Sequence, residues 1–153
     1  MSDVSYLIDT SAVVRLLNSD AYDERWQQVL ANGLVALCDL TELELLYSAR
    51  SGKDRDAKQE RLRRLFAWAL MPDGIYQRAR EVQQLLTDNG EHRSAGPVDL
   101  LVAATAELSG LTLLHHDRDV DTVARRTGQS TVWLAEPEPE PEPEPESPES
   151  PES

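Results

Sequence analysis

Cysteine occurs once in 153 residues, at Cys38, and the chain holds only two lysines, three histidines and one phenylalanine. A single cysteine excludes an intrachain disulfide and a cysteine-based zinc site, and suits a reducing compartment. No apolar run approaches the roughly 20 residues that span a bilayer. Met1-Ser2-Asp3 also lacks a basic region ahead of an apolar stretch. These absences lead to the expectation of a cytoplasmic protein without a membrane partner. Proline is scarce except at one end: seven of the nine prolines lie between Glu136 and Ser153, in a stretch of Glu, Pro and Ser alone. That stretch has no apolar surface to offset its ordering entropy and is expected to be a disordered, extended tail. The chain therefore divides into one folded domain, residues 1–135, and a tail, 136–153. Eight of the 28 acidic residues leave with the tail, so the folded part carries 20 acidic against 15 basic groups. Its formal charge is near −5 rather than −13, and the overall pI says little about partners.

Within the folded part, short apolar runs alternate with amphipathic ones. Val4 to Ile8, Leu34 to Leu37, Leu111 to Leu114 and Thr131 to Leu134 read as strands, each too short for a helix and bounded by turn residues. Between them the spacing predicts helices from Ala12, from Ala21 to Asn32, from Asp39 or Thr41 to Arg50, then onward to Leu70, over Ile75–Thr87, over Leu100–Ser109 and over Val120–Arg126. Leu62, Leu65, Phe66 and Ala69 are expected on one helical stripe, and Ala79, Val82, Leu85 and Leu86 on another. Alternating strands and helices argue for a central parallel sheet in a three-layer α/β/α domain. The excess of helix suggests a helical hairpin arm near Arg50 to Leu70. That arm, with seven basic residues against Asp54, Asp56 and Glu60, is locally about +4 and is expected to steer phosphate.

The chemistry lies in the acids. Asp9 follows the first strand and Asp117 the third, and strand ends of one parallel sheet open onto a common edge. Asp99 begins the most apolar helix, two positions after Pro97, and Glu44 lies one turn into the helix after the second strand. Each has an ordinary alternative: Asp9 and Asp99 as helix caps, Glu44 as a solvated residue with Glu42 in its place, and Asp119 as the cap of the final helix. Taken together, four carboxylates at one edge repel one another unless a cation neutralises them. A hard ion, Mg²⁺ or Mn²⁺, is the economical solution, and it favours phosphate oxygens as further ligands. His115 and His116 follow the third strand, where a base or a zinc ligand is the competing reading.

Leu7-Ile8-Asp9-Thr10-Ser11, Glu44-Leu45-Leu46-Tyr47-Ser48-Ala49-Arg50, Val98-Asp99-Leu100-Leu101-Val102-Ala103-Ala104 and His115-His116-Asp117-Arg118-Asp119 resemble the four acidic motifs of PIN-domain ribonucleases. More narrowly, they resemble the VapC toxins of VapBC toxin–antitoxin pairs. The resemblance spans residues 4 to about 134 and implies a Mg²⁺- or Mn²⁺-dependent endoribonuclease with a PIN fold. It implies Asp9 and Asp99 as principal metal ligands, with Glu44 and Asp117 completing the acidic site and Asp117 also near the ion. Asp119, Thr10 and Ser11 support that site, and Arg50 and Lys53 stand in the basic arm offered to RNA. Transfer or ribosomal RNA as substrate, a cognate antitoxin and a homodimer are further implications. Val120 stands after Asp119 where the family often carries an aromatic residue, and the Glu-Pro tail lies outside the pattern.

Two other classes share an acidic pocket. A haloacid-dehalogenase-type phosphatase wants a second aspartate two positions after the first, where Ser11 stands. A receiver-like signalling domain wants a lysine near its acids, and the only lysines are Lys53 and Lys58.

Overall fold

The computed structural model describes residues 3–18, 24–137, 139 and 141–145. The first strand, β1 (Tyr6–Ile8), leads into α1 (Thr10–Asn18), and α2 (Glu24–Ala31) leads into β2 (Val35–Cys38). Next come α3 (Asp39–Leu46), α4 (Gly52–Leu65), β3 (Ala67–Ala69), α5 (Ile75–Asp88) and α6 (Pro97–Leu108). The last elements are β4 (Thr112–His115), α7 (Arg118–Thr127) and β5 (Thr131–Trp133). The strands form one parallel sheet in the order β3-β2-β1-β4-β5. Chain reversal between parallel strands needs a crossover, and helices supply each one.

Alternation along the strands distributes two cores. Leu7, Ala36, Cys38 and Leu113 face α5, α6 and α7, while Ile8, Val35, Leu37 and Leu114 face α1, α2, α3 and α4. Both faces of the sheet are thereby covered, which is why its strands read as continuous apolar runs. Cys38 closes β2 as a buried residue of the first core. Trp26 anchors α2 in the second core and donates its indole N–H to the Leu134 carbonyl at 2.7 Å.

The α/β/α architecture expected from the sequence is found, with five strands instead of four. The predicted helix to Leu70 ends at Leu65, and β3 pairs Ala67, Trp68 and Ala69 with Ala36, Leu37 and Cys38. Leu62 and Phe66 do pack into the core, but Ala69 belongs to the sheet, because a three-residue edge strand leaves no alternation to read. In α5 the buried stripe is Ile75, Ala79, Val82 and Leu86, and Leu85 is exposed. The predicted start of the second helix at Ala21 lies outside the described residues. The arm is less separate than expected, since α4 is bound to the domain through Leu62 and by Gln59 to Glu42. The described tail residues carry no helix or strand.

Candidate active site

Parallel order places the ends of β1, β2 and β4 along one edge, and the acids collect there. Asp9 follows β1 directly and is 4 % exposed. Its Oδ2 accepts the Ser11 hydroxyl at 2.6 Å and the Ser11 N–H at 3.2 Å. The same hydroxyl oxygen accepts the backbone N–H of His116 at 2.9 Å, so one serine ties the end of β1 to the end of β4. Asp9 is thus both a turn former and a carboxylate turned to the sheet edge. Beside it, the Thr10 hydroxyl oxygen is buried and has no hydrogen-bond partner.

Asp99 reaches the edge from the first turn of α6, where Pro97 starts the helix and Asp99 Oδ2 accepts the Gly96 N–H at 3.1 Å. Asp117 caps α7 by accepting the Asp119 N–H at 2.9 Å. The sequence pointed to Asp119 as that cap. Because α7 begins two residues earlier than expected, Asp117 takes the role and Asp119 stands exposed in the first turn. Burial holds the Asp9 carboxyl above the ordinary aspartate range, opposed by its bonds to Ser11 and reinforced by the charges of Asp117 and Glu44. Burial likewise raises Asp99, opposed by the Gly96 bond and reinforced by Asp9, Glu44 and Asp117. Asp119 is raised by a partial loss of surrounding water and by the charge of Asp117.

Glu42 and Glu44 part company. Glu44 is exposed and adds to the field at Asp9 and Asp99. Glu42 is 8 % exposed, accepts the Gln59 side-chain amide at 3.2 Å and lies 3.7 Å from Arg63 Nε, facing α4. His115 is fully buried against Trp133, with ring centroids 4.8 Å apart, and burial lowers its pKa. Its Nδ1 accepts the Asp117 N–H at 3.2 Å, so it supports the β4 turn. Arg15 escaped the sequence reading although it lies one turn after Ser11 on α1, the spacing that shares a helix face. It lines the same cleft as His116, Asp117 and Asp119. Arg50 and Lys53 are exposed at the start of α4, where the Arg50 N–H donates to Asp54.

Residues 6–126 match the PIN domain model. The chain belongs to the PIN-domain family. Within that family it is similar to ribonuclease VapC2 of Mycobacterium tuberculosis, 46 % identical over 133 residues, covering 86 % of this chain and 93 % of that protein. Ribonuclease VapC21 of the same species is 37 % identical over 132 residues, with 86 % and 95 % covered. Among solved structures, the PIN domain resembles a chain of VapBC2 from Rickettsia felis bound to a promoter DNA fragment, with TM-score 0.70 and 18 % identity over 85 % of this chain and 98 % of that one. A chain of DNA-bound VapBC from Salmonella typhimurium gives TM-score 0.70 at 17 % identity, with 86 % and 99 % covered. No helix of the described residues is long and apolar enough to cross a membrane.

Among the described residues, no three Asp, Glu, His or Cys side chains stand close enough to enclose an ion by themselves. The donor chemistry nevertheless fits a hard cation. Asp9 and Asp99 are oxygen donors whose carboxyls burial raises, Asp99 further by the charge of Asp9, and Mg²⁺ typically needs only one or two carboxylates with water and substrate phosphate as its other ligands.

Proposed function

We propose that this PIN domain is a divalent-metal-dependent endoribonuclease, the toxin of a type II toxin–antitoxin pair, and that its nuclease domain ends near residue 135. The observation that carries the reading is the sheet order, which sets Asp9 and Asp117 just past the ends of the adjacent strands β1 and β4, with the charges of Asp117 and Glu44 felt at Asp9 and those of Asp9, Glu44 and Asp117 felt at Asp99. The ribonuclease names of relatives sharing 46 % and 37 % of their residues support RNA as the substrate class.

Asp9 and Asp99 would hold the ion, Mg²⁺ or Mn²⁺, with Asp117 beside them. When bound, such an ion lowers the pKa of water and neutralises charge developing on phosphate. Ser11 fixes the rotamer of Asp9, and Thr10 offers a second hydroxyl at the same helix start. Glu44 stands at the open side, able to accept a proton and to orient water by hydrogen bonding. Arg15 supplies positive charge across the cleft, where a phosphate between two acids needs a counter-charge. Arg50 and Lys53 add long-range attraction for a polyanion.

That the structural neighbours are chains of VapBC assemblies supports a cognate antitoxin as partner. A groove lined by Val14, Leu17, Leu45 and Leu62 and edged by Lys58 and Arg61 suits an amphipathic segment with acidic flanks. Exposed Tyr76 on α5 supports pairing with a second copy.

The test is cleavage of total RNA by partner-free protein with Mg²⁺ or Mn²⁺, beside Asp9→Asn, Asp99→Asn and an EDTA control. Discrete fragments that vanish in EDTA and in both variants are expected. Hydrolysis of phosphate monoesters with intact RNA would instead move the acidic edge to the phosphatase reading.

A further inference from the structure

Trp68 is the central residue of the edge strand β3, yet it is 37 % exposed. Its indole N–H donates to Asp39 Oδ1 at 3.0 Å, and the Arg63 guanidinium lies 5.9 Å from its ring centroid. Arg63 is itself held near Glu42 Oε2, at 3.7 Å. The three side chains and Phe66 line one surface cleft. The ring is oriented by a carboxylate and a cation and stays partly open to the cleft.

Register fixes where that cleft lies. Leu7 pairs with Ala36 and Cys38 with Ala69, so Asp9 stands level with Cys38, and Asp39 follows at the same sheet edge. Trp68 is two strands from Asp9, a lateral separation of about 10 Å at ordinary strand spacing. An aromatic face beside a guanidinium is the combination that holds unpaired nucleobases, the ring stacking on the base and the cation meeting the backbone phosphate.

We propose that Trp68 is a stacking platform for an unpaired nucleobase flanking the scissile position of the RNA substrate, with Asp39 fixing the indole and Arg63 meeting the adjoining phosphate. This rests on the ribonuclease reading for its substrate class and adds a specificity subsite outside the acidic cluster. Asp39 is a positioning residue here, and Trp68 is the group in contact with RNA.

Single-stranded oligoribonucleotides carrying 2-aminopurine report stacking by fluorescence quenching. They are titrated against Asp9→Asn protein, so that RNA stays intact, and against the same protein carrying Trp68→Leu or Trp68→Phe. Quenching is expected with Trp68 and with Trp68→Phe, and lost with Trp68→Leu, whose Kd weakens about 5- to 150-fold, the range that losing one stacked base implies. Unchanged quenching and Kd in a folded Trp68→Leu protein would overturn the proposal, as would an effect confined to the sedimentation coefficient, which would make Trp68 a protein interface. Cleavage of RNA by the otherwise unsubstituted protein is scored in parallel. Its absence would count against the ribonuclease reading, while the quenching arm still decides the fate of Trp68.

Discussion

Ser11 Oγ lies 2.6 Å from Asp9 Oδ2 and also receives the His116 N–H, so the most buried acid of the site is held by a residue that joins two strand ends. A carboxylate with one oxygen so occupied presents the other in a single direction. Orientation of this kind typically contributes ten- to 100-fold to metal affinity.

Ser11→Ala is accordingly expected to weaken Mn²⁺ binding by about ten- to 100-fold and to lower cleavage with it. Ser11→Thr keeps the hydroxyl and should retain most of both. Calorimetric titration of Mn²⁺ with each variant checks this.

Asp9→Asn should melt at a higher temperature than the unsubstituted protein at pH 7 in EDTA. The folded pKa of Asp9 is raised above 3.8, so the native state binds its proton more tightly than the unfolded chain does. The associated stability is present below pH 3.8 and lost as pH rises through the folded value. Asparagine removes that loss, and its advantage should vanish in melts near pH 3.5. Divalent ion at about 100 times its Kd should add about 2.7 kcal/mol to the unsubstituted protein and far less to Asp9→Asn.

Asp117 has a structural and a chemical role that two substitutions separate. Asp117→Asn keeps a good cap and should hold its melting temperature while losing cleavage. Asp117→Ala should lose cleavage and also about 0.5–2 kcal/mol of stability, read by denaturant titration.

Glu42 and Glu44 should respond in opposite ways. Glu44→Ala is expected to cut cleavage about ten- to 100-fold with little change in melting temperature. Glu42→Ala removes the acceptor for Gln59 and the partner of Arg63, at about 1.5–3 kcal/mol, or about 5–10 °C, while sparing cleavage.

Much of this protein was legible in one dimension. The alternation of short apolar runs with amphipathic ones specifies a parallel sheet covered on both faces, because only burial on both sides makes an uninterrupted apolar strand stable. Asp9, Asp99 and Asp117 stand at helix starts and Glu44 in the second turn of α3, and such positions are set by local capping and strand length. What those residues do together was decided by the sheet order. Setting β1 between β2 and β4 brings residues 108 positions apart to one edge, where burial and the charges of neighbouring acids raise the carboxyls of Asp9 and Asp99. The assignment of Glu44 to the site and Glu42 to α4 needed the packing of a second helix, because both lie on the same turn. Trp68 was read as part of a helix, since three residues carry no period; only pairing with β2 turned it into an edge strand with an open aromatic face. Local sequence fixes which groups are available, and long-range backbone pairing fixes which of them meet.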